Sequence, residues 1–268
     1  MDQPPYLRSP FRPDLCAGKV AIVTGGGTGI GRAIALELSA TGAQVAVCGR
    51  RPGPIAEVEA EISARGGTCL ARPCDIREPD QIEGFVQEVL ARFGRIDVLV
   101  NNAGGQRPFP ALDMPLVHFD KVVRNNLFGT FAMTQAVARA AMIPQGGGAI
   151  VNIIANIFRG FPGMAHTGAA RAGVDNLTKS LAVEWSPYRV RVNAIAPGII
   201  RSSGTERYPE SLLEVARKKT PWKRLGTPEE VAHLCVFLAS DAADYITGTT
   251  CYIDGGAALW GDLYPLPE

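Results

Sequence analysis

Polar residues line one face of a predicted helix in the middle of the chain, in a pattern suited to binding or acid–base chemistry. The stretch 164–185 carries an apolar stripe with helical spacing, which indicates an amphipathic helix. Beside the stripe stands a second line of residues, each four after the last: Thr167, Arg171, Asp175 and Lys179. The next tyrosine is Tyr188, beyond the predicted helix. The line therefore offers a hydroxyl, cations and a carboxylate, but no phenol.

A cluster of glycines follows the first predicted strand and opens a helix. In "KVAIVTGGGTGIG", Gly25, Gly29 and Gly31 have the spacing G-x-x-x-G-x-G. Glycines let the chain turn tightly and let its backbone approach a pyrophosphate, whose negative charge a helix N-terminus favours. The sequence therefore predicts a dinucleotide-binding turn. Its residues are Gly25, Gly27, Thr28, Gly29, Ile30 and Gly31.

Two arginines, Arg50 and Arg51, follow the second predicted strand. A protein that prefers NAD usually places a carboxylate here for the ribose hydroxyls, whereas arginines suit the 2′-phosphate of NADP. The alternative is that both are solvated residues at the start of a helix, whose dipole would mildly disfavour them. We predict NADP(H) as the cofactor.

Strand-like and helix-like segments alternate along the chain. The apolar runs "VAIV" and "IDVLV" are typical of strands covered on both faces. Because strands that alternate with helices pair in parallel through right-handed crossovers, the sequence predicts an α/β fold with a doubly wound, Rossmann-like parallel sheet in a single domain. The predicted strands are 20–24, 44–48, 68–72, 97–100, 149–153, 191–194 and 250–253, and the predicted helices are 29–39, 55–64, 80–93, 119–141, 165–185 and 228–238.

The composition argues against several classes of protein. The chain has 268 residues, of which 46% are hydrophobic and 20% charged, so it can bury a large core. A formal net charge of +1 gives no electrostatic case for nucleic acid or an anionic membrane, and neither partner is expected. The scattered cysteines lack the spacing of a metal site, so free thiols and no metal are expected. Since neither a secretory signal nor a membrane-spanning stretch is evident, we expect a soluble cytoplasmic protein.

Two segments stand apart from the alternating pattern. Residues 1–18 are proline-rich and are predicted to form an N-terminal arm on a single domain of residues 19–268. The irregular stretch 198–226, hereafter the lid segment, follows a late strand at the edge where such sheets bind ligands. We predict that it acts as a lid over the site. The alternative is a surface excursion that merely packs back on the domain.

Short motifs occur in order from about residue 17 to residue 257, and together they resemble the short-chain dehydrogenase/reductase family. The motifs are "TGGGTGIG", "CDI", "NNAG", "NNLFG", "VRVNAIAPG" and "ITG…IDGG". The resemblance implies a nicotinamide cofactor and a homo-oligomer, either a tetramer or a dimer.

The resemblance also implies where the cofactor lies. Asp75 and Ile76 would flank the adenine, and Asn102, Ala103 and Gly104 would support the middle of the cofactor. The residues that would embrace the nicotinamide lie in the stretch 197–202 and include Pro197, Gly198, Ile200 and Ser202.

The chain departs from the resembled family at three of its four catalytic positions. That family uses an asparagine, a serine, a tyrosine and a lysine, and only the asparagine is kept, as Asn126. Ile154 and Ala155 stand where the serine would follow "IVNI". Counting back from "RAGV", the tyrosine position is Thr167 and the lysine position is Arg171. The usual phenol donor is therefore missing.

Two other sources of a proton are considered. Asp175 and Lys179 have the spacing of an acid pair, but ion pairs four residues apart on a helix, including Arg171, explain this line better. His166 is a further candidate donor, although the sequence shows no partner that would orient it.

A narrower resemblance addresses the missing groups. The segment 151–185 is similar to that of peroxisomal trans-2-enoyl-CoA reductases and, less closely, of 2,4-dienoyl-CoA reductases, and "NNAGGQ" with Gln106 fits the same group. These proteins reduce carbon–carbon double bonds in thioesters. Hydride addition then gives an enolate, whose charge on the thioester oxygen is stabilised by hydrogen-bond donors without a phenol. On this basis Asn126 and Thr167 would be the donors, and Arg171 would hold the nicotinamide ribose.

We therefore predict NADPH-dependent reduction of a trans-2-enoyl thioester, with a small-molecule acyl thioester as substrate. One alternative is an NADP-dependent alcohol or 3-hydroxyacyl dehydrogenase, or a ketoreductase, with Thr167 or His166 as the acid. Another is a non-catalytic NADP-binding protein. Cations near the lid segment either bind the phosphates of coenzyme A or form a solvated helix face; they are Arg201, Arg207, Arg217, Lys218, Lys219, Lys223 and Arg224.

Overall fold

The protein is built on one seven-stranded parallel sheet. The computed structural model describes residues 9–105, 107–202, 205 and 209–259. Within them the strands pair in the order β3-β2-β1-β4-β5-β6-β7. Their bounds are β1 Val20–Thr24, β2 Gln44–Gly49, β3 Cys69–Pro73, β4 Val98–Asn101, β5 Gly148–Ile153, β6 Val190–Pro197 and β7 Thr250–Ile253.

Helices cover both faces of this sheet. Alternate residues of the strands belong to two hydrophobic clusters: Val23 and Val45 pack with α1, α2 and α9, while Ile22 and Ala46 pack with α3, α5 and α7. The helices are α1 Gly29–Ala40, α2 Pro52–Ala64, α3 Pro79–Phe93, α4 Leu116–Val123, α5 Gly129–Val137, α6 Ile143–Gln145, α7 Ala165–Glu184, α8 Glu210–Lys219 and α9 Pro228–Ala239. The predicted doubly wound single domain is confirmed.

The strand order reverses next to β1, which pairs with β2 on one side and with β4 on the other. The connections that follow β1 and β4 therefore run to opposite sides. Such a switch point leaves a crevice outside the carboxyl ends of the strands, where open α/β sheets bind ligands. The glycine turn after β1, the "NNAG" stretch after β4 and the loop after β5 all lie at this edge. The fold therefore brings together residues far apart in the sequence.

The helix predicted over 119–141 is longer than expected and is not uniform. It runs from Leu116 to Gln145 and contains two π-helical turns, at Arg124–Phe128 and Ala138–Met142. A π turn inserts an extra residue and locally widens the helix, and such turns frequently mark functional sites. The first of them places Asn126 against the site edge.

The ends of the lid segment are held together by backbone hydrogen bonds. Ile200 and Gly226 form a parallel bridge, with Arg201 N donating to the Gly226 carbonyl oxygen at 2.9 Å and Gly226 N to the Ile199 carbonyl oxygen at 3.1 Å. Helix α8 lies between these ends. Residues 203, 204 and 206–208 of the segment fall outside the described residues. A lid function stays a prediction.

The described part of the N-terminal arm packs on the domain. Cys16 N donates to the Thr41 carbonyl oxygen at 2.7 Å, and Phe11 and Leu15 lie against the first hydrophobic cluster. All six cysteines are free, as predicted. Among the helices of the described residues, none combines the length and the apolar character that crossing a membrane requires.

Candidate active site

The glycine turn after β1 is closely packed and leaves the N-terminus of α1 open. Gly25 and Gly29 have φ angles of 63° and 54°, which glycine adopts readily. A Cβ atom on Gly31 would lie 2.3 Å from the Gly25 carbonyl oxygen, so only glycine fits there. Thr28 precedes the helix but makes no side-chain capping bond. The first N–H groups of α1 therefore stay available to an anion.

Thr24 at the end of β1 and Asn102 directly after β4 brace this turn. Asn102 Nδ2 donates to the carbonyl oxygens of Thr24 and Gly25 at 3.0 and 3.1 Å, and the backbone N–H groups of Asn102 and Ala103 donate to Thr24 Oγ1 at 3.0 Å each. The Cys48 carbonyl oxygen accepts from Gly25 N at 2.7 Å. Asn102 therefore shapes the turn with its side chain, and its pairing with Thr24 has no signature in the spacing of the two residues.

Arg171 reaches from α7 to Gly104, in the loop after β4. A Cβ atom on Gly104 would lie 2.3 Å from Arg171 Nη2 and 2.7 Å from Asn126 Oδ1. The predicted catalytic residues Asn126 and Arg171 are thus brought together on one glycine. The remaining one, Thr167, is buried one turn earlier on α7.

Among the described residues, no acidic group forms an ion pair with the Arg171 guanidinium. The side chain is 7% exposed, and its Nη1 atom is buried without a hydrogen-bond partner among the described residues. Burial alone lowers its pKa to about 10. An uncompensated buried cation is costly, so the arrangement is favourable only when an anionic or polar ligand enters. A dinucleotide with its ribose hydroxyls and pyrophosphate fits this orphaned donor and the open end of α1.

The predicted ion pairs of α7 form only in part. Lys179 Nζ lies 2.5 Å from Asp175 Oδ2, and Thr250 Oγ1 donates to the other carboxylate oxygen of Asp175 at 2.5 Å. Arg171 has no ion pair among the described residues, which corrects the prediction that Arg171, Asp175 and Lys179 form ion pairs four residues apart. The reason is its inward position, since Arg171 is buried while Lys179 is exposed.

The amide of Asn126 is used within the protein, which corrects its predicted role as a donor to the substrate. Its Nδ2 donates to the carbonyl oxygens of Gly105 and Val122 at 3.0 and 2.8 Å. Its Oδ1 accepts from Gly105 N at 3.3 Å. Both N–H groups are therefore occupied, and Asn126 fixes the loop after β4 to the π-helical turn.

His166 lies in the first turn of α7 rather than in a loop. It is 2% exposed, and its Nδ1 accepts from Thr167 N at 2.8 Å, with Thr167 Oγ1 at 3.3 Å. Because Nδ1 is the acceptor, the neutral ring carries its proton on Nε2. The expectation that this histidine has no orienting partner was wrong, since its partner is the residue next to it.

The adenosine end of the crevice contains an arginine that the sequence analysis missed. Arg77 Nε donates to both carboxylate oxygens of Asp75 at 2.9 and 3.1 Å, and Arg77 Nη2 bonds the same group. This ion pair, with a smaller contribution from Arg50, lowers the pKa of Asp75. Arg50 and Arg51 are exposed. Arg77 and, at longer range, Arg50 thus act on Asp75 at the predicted adenosine site.

The stretch 197–202 is held in place by its neighbours. Pro197 O accepts from Asn156 N at 2.9 Å, and a Cβ atom on Gly198 would lie 2.9 Å from the Cα atom of Asp254. Ile200 is buried in the core, so only its backbone can face a ligand. Ser202 N donates to Thr205 Oγ1 at 2.8 Å.

Ile76, which was predicted to flank the adenine, is buried beneath Gly129. A Cβ atom on Gly129 would lie 2.7 Å from the Ile76 side chain.

Most cations near the lid segment have glutamate partners. Arg217 and Lys218 pair with Glu214 at 2.7 and 3.6 Å, and Arg224 pairs with Glu230 at 2.6 Å. Arg201 lies 3.7 Å from Glu210. Arg207 is outside the described residues. This pattern favours the solvated helix face over a dedicated phosphate site.

The sheet, the glycine turn at its switch point and the unpaired guanidinium define a dinucleotide-binding protein of the Rossmann type. A family model described as "Enoyl-(Acyl carrier protein) reductase" matches residues 25–258. The chain belongs to the short-chain dehydrogenase/reductase family, whose members are oxidoreductases that bind nicotinamide cofactors.

Relatives of this family differ in the reaction that their names state. The chain is 40% identical to a peroxisomal 2,4-dienoyl-CoA reductase of Danio rerio, over 93% of this chain and 84% of the relative. It is 39% identical to the 3-oxoacyl-(acyl-carrier-protein) reductase FabG of Thermotoga maritima, over 90% and 98%. A solved structure, the citronellol catabolism dehydrogenase AtuB of Pseudomonas aeruginosa, matches with 43% identity and a TM-score of 0.85, over 93% and 99%.

Proposed function

We propose that this protein is an NADPH-dependent reductase of trans-2-enoyl thioesters. The observation that carries the proposal is the buried pair Thr167 and Arg171, which occupies one line of α7 with no phenol on it. A carbonyl reductase must protonate an alkoxide, and neither side chain is suited to that task. The similarity to a relative named for the reduction of dienoyl thioesters supports the same reaction class.

The reaction places different demands on the protein from carbonyl reduction. The nicotinamide, when bound, supplies a hydride to the β-carbon of the substrate. The resulting enolate bears much of its charge on the thioester oxygen, where a fixed donor stabilises it. Thr167 supplies that donor, since its hydroxyl is buried on the inward face of α7. The α-carbon then takes a proton from water.

Arg171 and Asn126 have supporting roles in this proposal. Arg171 binds the nicotinamide ribose through its guanidinium, whose Nη1 has no hydrogen-bond partner among the described residues. Even with a pKa of about 10, it remains protonated at neutral pH and does not relay protons. Asn126 keeps the loop with Gly104 against the guanidinium. Neither residue needs to titrate.

NADPH rather than NADH is proposed because cations lie at the adenosine end. Arg77 pairs with the carboxylate of Asp75, Arg50 acts on the same carboxylate at longer range, and Arg51 follows Arg50 in the sequence. A 2′-phosphate entering this region meets net positive charge, whereas NADH finds no free carboxylate among these residues for its ribose hydroxyls.

A second candidate is a ketoreductase, favoured by the contact between His166 and Thr167. A histidine whose Nδ1 accepts from Thr167 N at 2.8 Å is oriented with Nε2–H as a hydrogen-bond donor, which would stabilise an alkoxide formed from a ketone. The 39% identity to a 3-oxoacyl reductase supports the same alternative. A non-catalytic NADP-binding protein is the third alternative, which the retained cofactor crevice does not favour.

Assembly and location stay predictions. Leu116 on α4 and Val183 on α7 are 85% and 75% exposed, and Phe131 of α5 is also exposed. Exposed apolar side chains on neighbouring helices support a homo-oligomer. We continue to expect a cytoplasmic protein, while the name of one relative states a peroxisomal one.

NADPH oxidation tests the proposal directly. The purified protein is given short and medium trans-2-enoyl-CoA esters, and in parallel the matching 3-ketoacyl-CoA esters. Turnover with the enoyl esters alone is expected. Turnover with the ketoacyl esters alone would replace the proposal by the ketoreductase alternative, and NADPH binding without turnover on either would favour the non-catalytic one.

A further inference from the structure

A chain of hydrogen bonds between buried side chains runs along one face of the sheet, from α5 across β4 and β5 to α7. Asn101 Nδ2 at the end of β4 donates to Thr134 Oγ1 of α5 at 2.7 Å and to Asn152 Oδ1 of β5 at 2.9 Å. Asn152 Nδ2 donates to Thr178 Oγ1 of α7 at 2.9 Å. All four side chains are buried. We call this chain the amide relay.

The amide relay is not needed to fill the core. Buried amides and hydroxyls stabilise the fold little more than well-packed apolar side chains of the same shape. The reason is that the polar groups lose their hydrogen bonds to water when they are buried. Such groups do fix relative positions, since each hydrogen bond tolerates only a narrow range of distance and direction. The relay therefore ties α5 and α7 to β4 and β5 at defined heights.

The relay ends at Thr178 on α7, the helix that carries Arg171. Thr178 and Arg171 lie on the same face of this helix. Thr178 follows Arg171 by seven residues, which is about 10.5 Å along the helix axis and only about 20° around it. The Thr178 hydroxyl donates to the Val174 carbonyl oxygen at 2.8 Å, one turn from Arg171. At the other end, Asn101 directly precedes Asn102, which braces the glycine turn.

We propose that Thr178 is a positioning residue for the cofactor site. Through Asn152 and Asn101 it sets the position of α7 along the sheet, and thereby the position of the Arg171 guanidinium beside Gly104. A rise of one residue along a helix is about 1.5 Å, so a slip far smaller than that would open the close approach of Arg171 to Gly104. The inference rests on the proposed place of Arg171 in the cofactor crevice.

The test measures NADPH affinity without any substrate, by the change in its fluorescence on binding. Thr178→Val removes the hydroxyl and keeps the shape, and it should weaken NADPH at least about fivefold. Thr178→Ser restores the hydroxyl and should bind within about twofold of the wild type. Thr41→Val is the matched control, because the buried Thr41 hydroxyl donates to the carbonyl oxygens of Glu37 and Leu38 and contacts Cys16, and it takes no part in the amide relay.

A double-mutant cycle separates positioning from general packing. If Thr178 acts through Arg171, then Thr178→Val has no further effect on NADPH affinity in an Arg171→Met background. Additive effects would overturn the proposal, as would unchanged affinity in Thr178→Val with only a lower Tm. Should that variant fold poorly, Asn152→Leu with Thr178→Val also removes the Asn152 amide that lost its acceptor. Asn101 Nδ2 then keeps its bond to Thr134 Oγ1, and the same loss of NADPH affinity is expected.

These experiments distinguish a failure of the positioning role of Thr178 from a failure of the proposed enoyl reduction. Absence of enoyl reduction with NADPH binding and the cycle intact would overturn the proposed reaction alone. Absence of NADPH binding by the wild type would overturn both. Binding of NADPH that is insensitive to Thr178→Val would overturn only the positioning role.

Discussion

Gly104 lies so close to the Arg171 guanidinium that no side chain fits between them. A Cβ atom at this glycine would be 2.3 Å from Arg171 Nη2, far inside van der Waals contact. Asn126 Oδ1 closes the other side at 2.7 Å from the same point. Gly104 therefore determines how deeply Arg171 enters the crevice, and the loop, the guanidinium and the amide have to be considered together.

Gly104→Ala should displace Arg171 and raise the Kd for NADPH at least about tenfold. The matched control is Gly105→Ala, because a Cβ atom at Gly105 would have only the Asn125 side chain nearby, at 3.9 Å. Titration of both variants with NADPH gives the comparison. Equal losses in the two variants would mean that the loop, rather than the contact with Arg171, determines binding.

Arg171→Met should make the ligand-free protein more stable while weakening NADPH binding. The buried cation has no partner in the described residues, and its replacement by an apolar side chain of similar length removes a desolvation cost on the order of 1–3 kcal/mol. A Tm higher by a few degrees is expected in thermal unfolding without ligand, and NADPH should raise the Tm of the wild type more than that of the variant. A lower Tm of the ligand-free variant would show that the guanidinium has a structural partner.

The buried Arg171 cation also makes the free energy of unfolding depend on pH. Burial lowers the pKa of Arg171 to about 10, so between that value and the unfolded value the unfolded chain binds more protons. The folded state therefore gains stability relative to the unfolded state as the pH rises through this range, and the penalty is fully present below it. At neutral pH the penalty acts in full, as the Arg171→Met comparison assumes.

Arg50→Asp should shift cofactor preference from NADPH towards NADH. The change removes a cation near Asp75 and adds a carboxylate, so the ratio of kcat/KM for NADPH to that for NADH should fall at least about tenfold. Arg139→Asp makes the same charge change at an exposed position on the long helix and serves as the control. An unchanged ratio in Arg50→Asp would remove the basis for assigning NADPH.

Local patterns were sufficient to predict the fold and the tight glycine turn after β1, while cofactor binding at that turn stays a prediction. Glycines directly after a strand indicate a tight turn, because glycine adopts positive φ angles readily. Alternating strands and helices are compatible with only a few sheet topologies. The unpaired state of Arg171 was not accessible in this way. Spacing along α7 suggested a partner in Asp175, but the direction of each side chain depends on what the helix packs against.

Contacts between distant segments account for the other differences. The amide of Asn126 is occupied by Gly105, and Asp254 accepts from Asn156 Nδ2 at 2.8 Å across almost a hundred residues. Neither pairing has a signature in the spacing of the residues. Arg77 was the exception, since an arginine two residues after an aspartate in "CDIR" was a local signal that could have been noticed.

Glu230→Gln should lower stability at neutral pH and have no effect in acid. Arg224, followed by the backbone N–H of Thr227, holds the pKa of Glu230 below its usual range. A carboxyl group with a lowered folded-state pKa contributes stability above its unfolded pKa of about 4.3, and the contribution is lost as the pH falls through the folded value. The difference in Tm between wild type and variant should therefore be largest near pH 7 and shrink as the pH falls through the lowered folded pKa of Glu230.

Glu229→Gln is the matched control for this prediction, since it removes a charge from the same helical turn as Glu230. Glutamine at position 230 keeps an oxygen for the capping box with Thr227, so the comparison isolates the charge. A pH-independent difference would show that the ion pair with Arg224 contributes nothing to the anchoring of the lid segment on α9.

Thr167→Val should lower kcat for the enoyl thioester without weakening NADPH. Valine keeps the shape of the buried side chain and removes the hydroxyl that we place on the thioester oxygen, a change on the order of 100-fold where such a donor acts mainly in the transition state. Thr167→Ser keeps the hydroxyl and should restore most of the rate. Because Thr167 N, rather than Oγ1, makes the 2.8 Å bond to His166 Nδ1, the histidine stays oriented in both variants. Full activity in Thr167→Val would transfer the donor role to His166, and His166→Gln would then become the decisive variant.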